Sequence, residues 1–281
     1  MSFDPGPHFI NSLAKGLAVI QAFNEERSAL SLSDVAERTG LTRATARRVL
    51  LTLEDLGLAT RNGDPRHFTL TPRVLSLGHA YLSSMPLWNF AEPVLESLVE
   101  GLGQTCSIAV LDETEMVYVL RVPVRRILSQ GVTIGSRLPL YCNSMGRVLL
   151  SDFTPAQLEN YFERVELVAH TPRTVVDVDQ LAVIVHEVRR KGYAWVRGEM
   201  EEHVGGMSVP IFNPQGRIIA ALNSSVNNSP LTEGAISRQF LPRLRQAADR
   251  LNRSMQAGAW PSRRVYRDAV QKIAGNPHET A

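Results

Sequence analysis

Between residues 41 and 58 the chain reads LTRATARRVLLTLEDLGL, and its apolar positions recur with the period of a helix. On a wheel of roughly 100° per residue, Ala46, Val49, Leu50, Leu53 and Leu56 fall on one stripe suited to a core. Ala44, Arg47 and Arg48 point the opposite way, Arg43 lies to one side and Thr45 sits near the boundary. Thr42 is placed to cap this helix. The preceding stretch, SLSDVAERTG, predicts a shorter helix with Ser33 as its N-cap, Asp34 in the first turn and Gly40 as its stop. Further upstream Ser12 can cap a first helix whose Leu13, Leu17 and Ile20 share a face, with Phe23 near its end. After Gly57 the period shortens to two. LATRN and HFTLT alternate as strands, and NGDPR between them carries two strong turn dipeptides. Three short helices and a small hairpin predict a winged helix-turn-helix complete by about residue 72.

The pattern then repeats on a larger scale. PRVLSLGHAYL predicts a linking helix and NFAEPVLESLVEGLG a second one. TCSIAVLD and EMVYVLRVP predict strands around a turn at Glu113, with LSQGVTIG as a third. SMGRVLL, TPAQLENYFERV and DVDQLAVIVHEVRRKG predict helices. YAWVRGEM, MSVPIF and RIIAALNSSV follow as strands, and TEGAISRQFLPRLRQAADRLNRSM as a closing amphipathic helix. The fold class expected is α+β, with a mainly antiparallel sheet in the second half. The expected divisions are a winged helix-turn-helix at 1–72, a linking helix at 73–89, a binding domain at 90–258 and a loosely ordered tail at 259–281.

Composition changes this picture little. Over 281 residues the formal net charge is +2, so the chain is no polycation. Of the 30 basic residues only Lys15, Lys191 and Lys272 are lysine. Two cysteines, Cys106 and Cys142, make neither a disulfide framework nor a metal cluster, and read as small buried side chains. The first residues, MSFDPGPHFINS, lack the pattern of a signal peptide, and no apolar run is long enough for a bilayer. A cytoplasmic protein with no membrane partner is expected.

Local charge matters more. Six arginines stand against three acids between Thr42 and Arg73. Small and cationic residues on the outer face of a helix's first turns are what a recognition helix presents to base edges in the major groove. Thr42, Arg43, Ala44, Thr45, Arg47 and Arg48 are therefore the candidate base-reading residues. Arg61, Arg66 and Arg73 lie on or beside the wing, with Arg61 and Arg66 the candidates for phosphate contact.

SLSDVAERTGLTRATARRVLLTLEDLGL and FTLTPRVLSLG resemble the DNA-binding half of IclR-type transcriptional regulators. VYVLRVP, IGSRLPLYCNSMGRVLLS, RRKGYAWVRGEMEE and VPIFNPQGRIIAALNSSV resemble the effector-binding half of the same family. RRILSQGVTIGSRLPLYCNSMGRVLL is most similar to the branch that regulates aromatic-acid and β-ketoadipate catabolism. The resemblance implies a GAF-like second domain, homodimers or tetramers, a double-stranded operator and a small organic acid as effector.

A carboxylate sensor needs a fixed cation and a few neutral donors in an otherwise apolar pocket. Arg121, at the end of an apolar strand, and Arg137, between Gly135 and Pro139, are the candidate cations, with Arg137 preferred. The resemblance adds Ser144, Met145 and Gly146 as a turn at a helix N-terminus, and Glu199, Asn223 and Ser225 as pocket residues. The chain departs from the family at EEHVGGMSVP, where His203 and Gly206 replace the usual glycine and small polar residue. The competing readings are a winged-helix sensor of a metal or partner protein, and an enzyme with an appended DNA-binding domain. Glu201, Glu202 and His203 offer metal donors without a second cluster. Ser12 and Lys15 match S-x-x-K without its partner motifs. Neither a metal nor a cofactor is expected, and no catalytic residue is assigned.

Overall fold

A computed structural model describes residues 6–24, 26–61, 63–84, 87–124, 131–227 and 232–256, with the backbone alone at 87–89, 227, 233, 235, 255 and 256. The chain divides into two compact units, Met1–Tyr81 and Leu82–Ala281.

In the first unit α1 (Asn11–Gln21), α2 (Leu32–Thr39) and α3 (Arg43–Asp55) close around Val19, Val35, Ala46, Leu50 and Leu53. Two caps differ from those expected. Ser12 lies inside α1, whose cap position is Ile10 and carries no side-chain bond. Ser33 lies inside α2. The cap there is Ser31, whose hydroxyl accepts from the Asp34 amide at 3.3 Å while the Asp34 carboxylate accepts from the Ser31 amide at 2.8 Å. Only Ser31 has an acid three residues on, and that reciprocal pair decides the start. Gly40 ends α2 at φ 66, and Thr42 caps α3 by accepting from the Thr45 amide at 3.2 Å. Leu56, expected on the core stripe, is 54% exposed because it is the C-cap, where the helical wheel stops applying.

The hairpin is formed by β2 (Ala59–Thr60) and β3 (His67–Leu70), and the sequence reading missed a third strand, β1 (Ala29–Ser31), which pairs with β3. Three residues are too few to display an alternation. After a 3-10 turn at Pro72–Val74, α4 (Leu75–Ser83) buries none of its side chains.

The second unit is a six-stranded antiparallel sheet in the order β6-β5-β4-β9-β8-β7. Its strands are β4 (Cys106–Asp112), β5 (Glu115–Val122), β6 (Arg137–Pro139), β7 (Ala194–Arg197), β8 (Val204–Phe212) and β9 (Ile218–Asn227). Helices α5 (Leu87–Leu102) and α9 (Glu233–Gln256) cover one face over Ile108, Leu120, Met207, Val209 and Leu222. Helices α6 (Ser144–Leu150) and α8 (Val178–Lys191) cover part of the other over Ala109, Met116, Tyr118 and Ala221, with α7 (Pro155–Arg164) contributing Tyr161. The sheet is α+β with an antiparallel core, as expected. Of the strand expected at LSQGVTIG, residues 128–130 lie outside the described residues and 131–135 form no strand. Gly131 and Gly135 adopt φ 101 and 88, which turns the chain there, and β6 begins at Arg137 instead. The tail from residue 259 also lies outside the described residues.

One irregularity positions the site. Ile108 pairs with Leu120 while Ala109 pairs with Tyr118, so Val119 is an extra residue in β5. Side chains alternate faces along a strand, and a bulge resets the alternation. Tyr118 and Arg121, three residues apart, therefore face the same side, that of α6.

Candidate functional site

The sequence reading leads to two places, one in each unit. In the first, Thr42, Arg43, Ala44, Arg47 and Arg48 are exposed on α3, and Thr45 is half-buried beneath them. Arg43 donates to the Ser33 hydroxyl at 2.8 Å, so it is steadied by α2. Among the described residues, Arg47 and Arg48 have no side-chain partner and present two unneutralised charges to solvent. The wing arginines differ from one another. The Arg61 guanidinium grips both Glu54 carboxylate oxygens, at 2.9 and 2.6 Å, and stacks over Phe68 at 5.2 Å. That grip also holds the Glu54 carboxyl below its usual range. Arg73 donates to the Leu56 carbonyl at 2.7 Å and closes the end of α3. Arg66 is open: its guanidinium lies 3.7 Å from Asp64, with its side chain 87% exposed.

In the second unit a cavity of about 300 Å³ opens where α6 meets the bare end of the sheet. Arg121, Ser144, Met145, Glu199, Asn223 and Ser225 all line it. Gly146 does not: a Cβ there would come within 2.2 Å of the Leu140 carbonyl, so its role is to let α6 sit against that backbone. Nor does its amide point at a ligand, because Asn143 caps α6 and accepts from it at 2.7 Å.

A polar row across four strands runs beneath the cavity, and Arg121 and Asn223 are its members in the lining. Arg121 pairs with Ser107, Ser107 with Asn223, and Asn223 with Ser208. At one end the Arg121 guanidinium lies 3.5 Å from the Ser107 hydroxyl, and among the described residues no carboxylate pairs with it. At the other end the Asn223 amide donates to Ser144 Oγ at 3.1 Å and Ser208 Oγ at 3.2 Å, and those two hydroxyls are 2.7 Å apart. Ser144, Ser208 and Asn223 are buried. Tyr118 lines the middle, and burial pushes its hydroxyl up to about 12, so it is a neutral donor at any physiological pH. Cys142, in the same wall, is likewise pushed up to about 12 by burial and stays an unreactive thiol.

Arg137 is elsewhere. Its guanidinium is exposed and is held by Asp112 and Glu115, each at 2.7 Å, across the edge of β4, β5 and β6. The reading of Arg137 as the fixed cation missed the acids at the neighbouring ends of β4 and β5, which its side chain reaches past its cross-strand partner Val117. Glu199 is in the cavity wall but already engaged: Arg147 Nη2 lies 2.7 Å from its carboxylate, both side chains are buried, and the Val175 amide adds a bond at 3.2 Å. Arg147 also donates to the Tyr141 carbonyl at 2.9 Å. The sequence reading overlooked Arg147, although its place in SMGRVLL, on the buried helix that carries Ser144, was a signal. Glu201 also borders the cavity, while Glu202 and His203 are exposed in the loop before β8. Among the described residues no three His, Cys, Asp or Glu gather, and no helix is long and apolar enough to cross a membrane.

Comparison with known proteins gives two family matches. Residues 12–63 match the IclR helix-turn-helix domain, and residues 79–253 match the C-terminal domain of the bacterial transcriptional regulator IclR. The chain is 40% identical over 248 residues to the Pca regulon regulatory protein of Pseudomonas putida, covering 88% of this chain and 84% of that one. It is 38% identical to the p-hydroxybenzoate hydroxylase transcriptional activator of Acinetobacter baylyi, covering 86% and 91%. An IclR homologue of Microbacterium hydrocarbonoxydans, solved in complex with 4-hydroxybenzoate, superposes with a TM-score of 0.76 at 28% identity, covering 88% of this chain and 100% of the other.

Proposed function

This chain belongs to the IclR family of bacterial transcriptional regulators, and we propose that it switches a catabolic operon in response to a small organic acid bound in the cavity of its second unit. The observation that carries this reading is the unpaired Arg121 guanidinium at one end of a buried polar row. A cation without a carboxylate partner in a partly enclosed space is stabilised by a ligand that brings one. The relatives named for p-hydroxybenzoate hydroxylase and for 4-hydroxybenzoate binding support an aromatic acid; a dicarboxylic acid is the other class. Glu199 is then a wall of the site and Arg121 its anchor.

On this reading Thr42, Arg43, Ala44, Thr45, Arg47 and Arg48 face the major groove, and Arg66 meets phosphate. The exposed Leu75 and Leu77 of α4 pack against a second subunit, so that two recognition helices address a two-fold operator. The chain performs no chemistry of its own and acts in the cytoplasm. Acid and operator affinities are coupled, so each ligand changes the affinity of the other by the same factor.

The test is calorimetry and thermal shift with 4-hydroxybenzoate, protocatechuate and β-ketoadipate, beside gel shifts with and without the acid. A ligand of the folded state raises the melting temperature. If none of these acids binds, or the one that binds leaves operator affinity untouched, the reading fails. Light scattering that finds a monomer at micromolar concentration removes the dimer from it.

A further inference from the structure

The two ends of the polar row differ in kind. Three strand spacings, roughly 14 Å, separate the backbone of Arg121 from that of Ser208. At the Arg121 end there is a full positive charge. At the far end there are only neutral groups, and most of their hydrogens are already used. The Asn223 amide nitrogen faces three acceptors, Ser144 Oγ, Ser208 Oγ and the Met207 carbonyl at 3.3 Å, and its amide oxygen accepts from Ser225 at 3.3 Å. Of the two hydroxyl hydrogens on Ser144 and Ser208, one is spent between them at 2.7 Å. Ser208 does not line the cavity, so at most one hydrogen, that of Ser144, and a few lone pairs remain for a ligand. That suits a hydroxyl, which both donates and accepts. It does not suit a second carboxylate, which would shed its water and find a single donor. Arg147, behind the wall, is neutralised by Glu199, and Arg137 is outside the cavity.

What opens this end is Gly206. A Cβ built there would stand 2.7 Å from Asn223 Nδ2 and 2.8 Å from Ser144 Oγ. Gly206 lines the cavity, and its missing side chain leaves those two polar atoms uncovered. Any methyl group would have to push aside a buried, mutually bonded pair, and would cover what it did not push.

Building on the effector-site reading, we infer that Gly206 is the specificity-determining residue of this cavity. It admits acids that carry one carboxylate, at Arg121, and an uncharged hydrogen-bonding group at the opposite end, at Ser144 and Asn223.

Calorimetry on the full-length protein with benzoate, 4-hydroxybenzoate and terephthalate tests this, because the three share a ring and differ only at the far end. 4-Hydroxybenzoate is expected to bind at least about tenfold more tightly than either of the others, on the scale of one buried hydrogen bond made or missed. Gly206→Ala is expected to cost 4-hydroxybenzoate about tenfold and benzoate less than about threefold, since only the former uses the covered pair. Terephthalate binding as tightly as 4-hydroxybenzoate overturns the inference and leaves the effector site standing. So does a Gly206→Ala protein that weakens both monoacids equally, or neither. Should the variant not fold, the comparison of the three acids on the unmodified protein still decides. Binding of none of the three overturns the inference, and the site itself falls with it only if protocatechuate and β-ketoadipate fail to bind as well.

Discussion

On the outer face of α3, Arg47 and Arg48 stand exposed with no carboxylate beside them among the described residues, whereas in the second unit the buried Arg147 holds Glu199 at 2.7 Å. The difference follows from where each partner comes from. A charge in water costs little to leave open, and it can wait for a polyanion that arrives from outside. A charge in a wall must be neutralised when the chain folds, unless a ligand is meant to do it. Arg121 joins the two cases: it lines the cavity, yet among the described residues it has the open valence of a surface arginine. Between these limits lies Arg61, exposed yet spent on Glu54, which turns the base of the wing into scaffold and leaves Arg66 as its open cation.

Removing members of this set one at a time separates the roles. The largest effect is expected from Arg147→Met, which strands Glu199 in the cavity wall. Urea denaturation should show a loss of about 3–5 kcal/mol, and the double change with Glu199→Leu should recover most of it. A small loss would mean that the pair is solvated and that Glu199 is free to meet a ligand. Next, Arg121→Ala is expected to cost about 2–4 kcal/mol of acid binding by calorimetry while leaving operator affinity without acid unchanged. Normal acid binding by this variant would place the anchor elsewhere and dissolve the contrast between Arg121 and its paired neighbours. Third, Arg47→Ala should cost about 1–3 kcal/mol at the operator and relax preference at one base position, read by gel shifts on operator and scrambled duplex. A uniform loss on both duplexes would move Arg47 from base readout to phosphate contact. Smallest is Arg137→Ala. An exposed pair is worth at most about 1 kcal/mol of stability, and acid affinity should be unchanged. A tenfold loss of acid binding would return Arg137 to the site.

Much of this was legible in the sequence because it rests on local rules. Thr42 before a periodic apolar run, Gly40 and Gly192 after one, and Thr154 three residues before Gln157 are all caps decided within a single turn. The helix that carries the arginines was legible for the same reason. The choice of Ser33 over Ser31 failed by ignoring the acid three residues on, information that was present in SLSD. Other features were not local. Arg137 and Arg121 look equivalent as arginines at strand termini. What separates them lies across the sheet: Arg137 is paired with Val117 and reaches past it to Glu115 and Asp112, whereas Arg121 is paired with Ser107. Register is a property of two strands, and one strand cannot state it. Burial of Arg147 likewise depends on Glu199, 52 residues away. Strand β1 was too short to leave a pattern at all.

The extra residue in β5 has a consequence for inheritance. Tyr118 and Arg121 share the cavity only because Val119 offsets the pleat. A slip of β5 that kept every residue but abolished the bulge would put Tyr118 and Arg121, three residues apart, on opposite faces of the sheet, whereas loss of the codon for Val119 would leave them two residues apart and still on one face. Related genes that lack this codon would keep both side chains at the site, while a gene of the same length that paired β5 without the bulge would carry the same lettering and lose the site. For this unit, an alignment gap at position 119 is the mild change, and a substitution that removes the bulge at constant length is the severe one.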